Sequence, residues 1–120
     1  MRSDILTSYP GVKFVKLSMG NAAAEIFYKP KDFDVIATPD VEGDILADGL
    51  TRLLYGSTML TPSGNFSPGG FASYQTIHGT VKPLAGKDKV NPIGMIQALA
   101  MYLEHSADME READMIRNAV

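Results

Sequence analysis

Cysteine is absent from the 120 residues, and with it every disulfide framework, thiolate metal site and cysteine nucleophile. Tryptophan is absent as well. No apolar run approaches the roughly 18 residues that a membrane span needs. Residues 1–6 carry an Arg and an Asp with no apolar stretch behind them, so no leader is read there. Excess basic charge is also lacking: 11 Lys and Arg stand against 14 Asp and Glu, for a net charge of −3. Sequence-independent nucleic-acid binding depends on a basic surface, so neither nucleic acid nor a membrane is an expected partner. Repeats, low-complexity tracts and Ser- or Gly-rich linkers are missing too, and residues 1–120 read as a single domain of a soluble, cytoplasmic protein. What is present suits a globular chain of this length, able to bury roughly two-thirds of its unfolded surface.

Apolar spacing then divides the chain. Val12, Phe14, Val15 and Leu17 predict a short buried strand, and Phe33, Val35, Ile36 and Ala37 a second one before Pro39. Between them, Asn21 is positioned to cap a helix that Pro30 ends. Ile45, Leu46, Leu50, Leu53 and Leu54 recur at helical intervals from Gly43 to Tyr55, with Gly56 as the stop. Residues 57–60 suggest a strand. Residues 61–70, with Pro62, Gly64, Asn65, Pro68, Gly69 and Gly70, read as a loop. A strand over 71–77 leads into a long Gly- and Lys-containing loop. Asn91 and Pro92 then give a helix-start signal, followed by Ile96, Leu99, Ala100 and Leu103 on one face. A last helix runs from about Ala107. The class is α/β: a small sheet with flanking helices and a C-terminal helical pair.

Two features carry chemistry. In Gly43-Asp44-Ile45-Leu46-Ala47-Asp48, a helix places Asp44 and Asp48 at i and i+4, with β-carbons about 6 Å apart on one face. Two carboxylates that close repel unless something compensates, and Mg²⁺ or Mn²⁺ prefers such oxygens. Alternatively, Asp44 complements the dipole of the first helical turn. The second feature is His78-Gly79-Thr80 with the lysine-bearing loop that ends at Asn91. Backbone N–H groups and positive charge at a helix N-terminus suit phosphate, although no GxGxxG or Walker sequence is present, and a solvated loop would read the same way. The methionines near the C-terminal end read as core or subunit interface, and the acids and arginine of 108–114 as a solvated helix face.

In order along the chain, Gly20-Asn21-Ala22-Ala23, Phe33-Asp34-Val35-Ile36, Gly43-Asp44-Ile45-Leu46-Ala47-Asp48, Ile77-His78-Gly79-Thr80 and Ala85-Gly86 through Asn91-Pro92-Ile93 resemble the isocitrate and 3-isopropylmalate dehydrogenases, the metal-dependent β-decarboxylating dehydrogenases. The resemblance runs from Tyr9-Pro10 to the last helix. It implies a partial form of that family's fold, with Asp44 and Asp48 holding Mg²⁺ or Mn²⁺ against a 2-hydroxy acid. It likewise implies that His78, Gly79, Thr80 and Asn91 bind the adenosine half of NAD or NADP.

Departures accompany it. The family's third metal aspartate, donated across the dimer, falls on Gly20, which has no side chain. A glutamate three residues before the His-Gly pair is Gln75 here, and an asparagine that opens the metal block is Asp40. At the cofactor-discriminating position stands Pro83. Leu84 leans toward NAD and Lys82 toward NADP, and the balance goes to NAD with NADP left open. Family members are much longer, and the portions with the substrate arginines and the catalytic lysine and tyrosine have no counterpart, so no catalytic residue is assigned. Three readings follow: a truncated relative that keeps metal or nucleotide binding without turnover alone, one piece of a split or hetero-oligomeric dehydrogenase completed by another polypeptide, or a structural or regulatory self-associating module. Each expects exposed apolar helix faces and sheet edges, hence a homo-oligomer, most simply a twofold dimer.

Overall fold

Short-range signals set where the helices begin and end. The computed structural model describes residues 8–120. Its regular elements are α1 (Met19–Tyr28), α2 (Asp40–Tyr55), β1 (Pro62–Phe66), β2 (Ala72–Thr76), α3 (Ile93–His105) and α4 (Glu110–Ala119), with 3-10 turns at Pro30–Asp32, Thr58–Leu60 and Lys82–Leu84. Among the described residues this is an α/β arrangement of four helices and one small two-stranded sheet, with α3 on the sheet.

The start of α1 is earlier than Asn21 suggests. Ser18 is the N-cap, and its Oγ accepts the Asn21 N–H at 3.4 Å, so Asn21 is the donor inside the first turn. Ile26 of α1 is almost fully buried where α1 meets α2. The approach is close: a β-carbon built on Gly49 of α2 would stand 2.6 Å from Cζ of Phe27. Helix α2 begins after Pro39, with Asp40 and Glu42 in its first turn and Arg52 in its last, each sign complementing the dipole. Gly56 ends it at φ 72°, its N–H donating to the Arg52 carbonyl at 3.0 Å.

The two strands expected before α2 do not form. Residues 12–17 and 33–37 hold no ladder, and Val12, Phe14, Val15, Val35 and Ile36 are exposed. A strand needs a neighbour to take its N–H and C=O groups, and among the described residues neither stretch has one. Residues 58–60 make a 3-10 turn, not a strand, with the Ser57 hydroxyl accepting the Met59 N–H at 3.1 Å. Conversely, the stretch read as loop contains β1. It pairs antiparallel with β2 in the register Pro62↔Thr76, Gly64↔Tyr74, Phe66↔Ala72. Proline is tolerated because it opens the strand. The hairpin closes through Ser67 and Gly70: the Ser67 N–H donates to the Phe71 carbonyl at 2.8 Å and the Gly70 N–H to Ser67 at 3.0 Å, with Gly70 at φ 86°.

Helix α3 lies on this hairpin. Gly94 is pressed against the 3-10 turn, where an added β-carbon would come within 2.4 Å of the Met59 carbonyl oxygen. Edge-to-face contacts of Tyr74 with Phe66 and Tyr102, and of Phe66 with His105, tie the strands to the end of α3, as does the 2.7 Å bond between the Tyr74 and Ser106 hydroxyls. The chain then reverses into α4. Met109 N–H donates to the Leu103 carbonyl at 2.8 Å, Ala107 N–H to Tyr102 at 3.2 Å, and Asp108 takes φ 53°. Ala100 and Ala113, one on each helix, are fully buried. Arg117 of α4 hydrogen-bonds Glu104 of α3 and, at 3.3 Å, Asp114. The bond to Glu104 holds that carboxyl below its ordinary value and the Arg117 guanidinium above its own. Among the described residues no helix is long and apolar enough to cross a membrane.

Candidate functional site

Helix geometry decides the placement of the two aspartates. Leu46 is the buried anchor of α2. Asp44 precedes it by two residues and Asp48 follows it by two. At 100° per residue each lies about 200° round from Leu46 in opposite senses, so the pair is about 40° apart on the outward face. Asp44 and Asp48 are both exposed. Among the described residues neither accepts a hydrogen bond from another side chain or forms an ion pair. The chain thus presents two adjacent, uncompensated carboxylates one helical turn apart.

A hard divalent cation fits such a pair in one specific way. Mg²⁺ takes six oxygens and commonly keeps several waters while one or two carboxylates hold it. Asp44 and Asp48 supply two carboxylates, and no group of three or more acids or histidines gathers among the described residues. The remaining positions fall to water, to ligand oxygens or to another chain. Gly20 stands at the second position of α1, and a β-carbon there would meet nothing within 4 Å, so the fold itself leaves room for a side chain.

The second cluster sits at the mouth of the loop after β2. Ile77 extends the hairpin by one bond, its N–H reaching the Thr61 carbonyl at 3.2 Å. His78 follows, half-buried, with Nδ1 2.9 Å from the Gly79 carbonyl. A carbonyl oxygen only accepts, so Nδ1 carries the hydrogen and the neutral ring keeps Nε2 as an acceptor. Thr80 is exposed. Gly79 has neither a left-handed φ nor any atom within 4 Å of an added β-carbon, so nothing within the chain requires glycine there. Open space over a bare backbone suits a ligand that must approach closely.

From there the loop turns through Gly86 at φ 70° and Asp88 at φ 50°, carrying exposed Lys82, Lys87 and Lys89 toward α3. Asn91 is one residue further out than a cap. Pro92 takes the N-cap position, its carbonyl accepting from Met95 and Ile96 at 3.0 Å, while Asn91 Oδ1 accepts the Ile93 N–H at 3.0 Å. Asn91 therefore commits its carbonyl oxygen to the helix start and leaves its amide NH₂ group outward. His78, Gly79, Thr80 and Asn91 bracket one loop, whereas Asp44 and Asp48 belong to the outward face of α2. What sequence reasoning missed is Gly94: its contact is with a residue 35 positions earlier, which no local signal encodes.

Comparison with known proteins agrees over the whole length. The family model described as isocitrate/isopropylmalate dehydrogenase matches residues 2–120. The chain is 38% identical over 98% of its length to a mitochondrial regulatory subunit of NAD isocitrate dehydrogenase from Dictyostelium discoideum, covering 32% of that protein. It is 40% identical over 97% of its length to the 3-isopropylmalate dehydrogenase of a Synechococcus species, covering 30% of it. The crystal structure of the TT0538 protein from Thermus thermophilus superimposes with a TM-score of 0.87 at 33% identity, over 97% of this chain and 23% of that one. The chain spans about a third of the length of the curated relatives it matches.

Proposed function

This chain belongs to the isocitrate/isopropylmalate dehydrogenase family, and on that premise we propose that it binds a divalent cation and the adenosine half of a dinucleotide without turning over a 2-hydroxy acid by itself. Asp44 and Asp48 hold Mg²⁺ or Mn²⁺. His78, Gly79, Thr80 and Asn91 take the nucleotide, NAD in preference to NADP, with His78 Nε2 as an acceptor, the Asn91 amide as a donor and the bare backbone at Gly79 as the point of close approach. Bound at the aspartates, a cation supplies Lewis-acid polarisation of a hydroxy or keto oxygen. No residue of the chain is assigned as the general acid or base of the proton transfers, which is why turnover is not expected of it alone.

The observation that carries this reading is the pair of uncompensated carboxylates one turn apart on the outward face of α2. Calorimetric titration with Mg²⁺, Mn²⁺, NAD and NADP tests it, repeated on the Asp44→Asn/Asp48→Asn double variant. Metal binding in the wild type that disappears in the double variant is the expected result. An absence of heat in every titration overturns it and leaves the structural or regulatory self-associating module. Turnover of isocitrate or 3-isopropylmalate by the purified chain, above a metal-only control, overturns the non-catalytic part.

A second reading has an observation of its own. Residues 12–17 and 33–37 are rich in β-branched and aromatic side chains yet hold no ladder, and Val35 is 87% exposed. Strand partners from another polypeptide would cover both, which makes this chain one piece of a hetero-oligomeric dehydrogenase. Restored turnover on mixing with a polypeptide that carries the remaining two-thirds of a 3-isopropylmalate dehydrogenase is the outcome that favours it.

A further inference from the structure

The hydrogen bonds inside the loop from His78 to Asn91 are all local. His78 Nδ1 meets the Gly79 carbonyl, Leu84 N–H donates to Val81, Ala85 N–H to Lys82 and Lys87 N–H to Leu84. Among the described residues no hydrogen bond or ion pair spans the loop, and its lysines are exposed. A segment held only by neighbouring contacts does not fix the distance between its own ends. The placement of His78 relative to Asn91 is set by the scaffold that anchors those ends.

Both anchors rest on one seat, the stretch 58–61. Thr76 closes β2 two residues before His78, and the Ile77 N–H donates to the Thr61 carbonyl at 3.2 Å. Gly94, buried in the first turn of α3, stands three residues after Asn91. Asn91 is fastened to that turn by the 3.0 Å bond from the Ile93 N–H to its Oδ1. A β-carbon on Gly94 would meet the Met59 carbonyl oxygen at 2.4 Å and Thr76 Cγ2 at 3.1 Å. Gly94 has no left-handed φ, so space and not backbone conformation calls for glycine here. The end of β2 and the start of α3 thus close on each other, and on Met59, at the mouth of the loop.

We propose that Gly94 is a positioning residue of the nucleotide site: its missing side chain lets α3 close on Met59 and Thr76, and that closure holds Asn91 at the distance from His78 that an adenosine-bearing nucleotide spans. The inference rests on the nucleotide reading given above. One added methyl moves the first turn of α3 off Met59 by most of an ångström, because the obstructing atom is backbone. The Asn91 amide moves with that turn, while His78, held through Ile77 and Thr61, stays behind. Hydrogen-bond lengths fill a window of only about 0.5 Å, so the shift breaks a bond that must converge with those of His78. Affinity for the nucleotide then falls about ten-fold.

Calorimetric titration with ADP-ribose of the wild type, Gly94→Ala, Asn91→Ser and the double variant tests this, with circular dichroism confirming that each folds. Asn91→Ser keeps a side-chain oxygen for the Ile93 N–H and removes the amide donor. The expected result is a Kd about ten-fold weaker in each single variant and no weaker again in the double variant, since Gly94 acts through Asn91. A merely structural Gly94 would give losses that multiply. Wild-type affinity in either single variant, or losses that multiply in the double, overturns the proposal while the wild type still binds. No binding by the wild type overturns the nucleotide reading and this inference together, so the two failures are distinguishable. Should Gly94→Ala fail to fold, amide hydrogen exchange on the wild type decides. ADP-ribose is expected to slow the Ile77 and Ile93 amides together, and slowing at one end only, or at neither, overturns the proposal.

Discussion

Gly20 and Gly94 occupy the second position of their helices, α1 and α3, and adding one methyl to each should shift stability in opposite directions. The helix-propensity term is shared: replacing Gly by Ala gains up to about 1 kcal/mol, less in a first turn than in the interior. Packing separates the two sites. At Gly20 the new β-carbon meets nothing within 4 Å, so Gly20→Ala keeps the gain, about 0.5–1 kcal/mol. At Gly94 it would stand 2.4 Å from the Met59 oxygen, 3.1 Å from Thr76 Cγ2 and 3.2 Å from the Met59 carbonyl carbon. Two of those three atoms are backbone, so no rotamer change relieves the contact. α3 must move away from the 58–60 turn by most of an ångström. Overpacking of this kind costs about 1–3 kcal/mol, and a backbone obstacle puts Gly94→Ala near the upper end. Net of the helix gain, a loss of about 2 kcal/mol remains. At about 4 °C per kcal/mol for a chain of this size, Tm falls by about 8 °C in Gly94→Ala and rises by about 2–4 °C in Gly20→Ala. Urea and thermal unfolding followed by circular dichroism measure both. Protein concentration is held constant, so that the variants are compared under one set of conditions. If Gly94→Ala proves as stable as the wild type, or if both variants shift the same way, the seating of α3 on the Met59 carbonyl is wrong.

Three further outcomes follow from the same geometry. Without metal and at low salt, Asp44→Asn relieves a like-charge pair at i and i+4 and stabilises the protein by about 0.2–0.5 kcal/mol; denaturant midpoints should show this gain vanish in high salt, and a destabilised variant would mean that a cation of the chain already compensates the pair. Because the Arg117 hydrogen bond lowers the Glu104 pKa from 4.5, the contribution of that pair is fully present above the unfolded value and is lost as pH falls through the lowered folded value. Acid unfolding curves should therefore flatten below about pH 4.5 in Glu104→Gln relative to wild type, and superimposable curves would refute the contact. Gly20→Asp, placed where the chain leaves open space, should tighten Mn²⁺ binding in a manner that depends on protein concentration; an affinity unchanged at every concentration would dismiss Gly20 as the site of a missing ligand.

Helices are readable in the sequence because their signals are local. The Leu46 register, the acids before it and Gly56 after it all lie within a few turns of one another, and those same residues put Asp44 and Asp48 on one outward face. The α3 start is readable to within one residue, since Asn91 does bond the first turn but from one position further out. Ser18 escapes notice as the α1 cap because Asn21, with an equally suitable side chain, stands closer to the apolar run. The tautomer of His78 needs the Gly79 carbonyl to be seen in place.

Strands obey a different logic, and 12–17 and 62–66 make the contrast plain. VKFVKL has the β-branched and aromatic composition of a strand and forms none; PSGNF has proline, glycine and asparagine and forms one. The difference is the neighbour. β2 follows 62–66 across a turn closed by Ser67 and Gly70 and takes its backbone bonds in register, while nothing among the described residues does so for 12–17. Composition states what a segment can pair with, and topology decides whether a partner is there. The stretches where composition and observed conformation disagree, 12–17 and 33–37, are therefore informative about assembly. Their exposed Val12, Val15 and Val35 mark surfaces that no strand among the described residues covers.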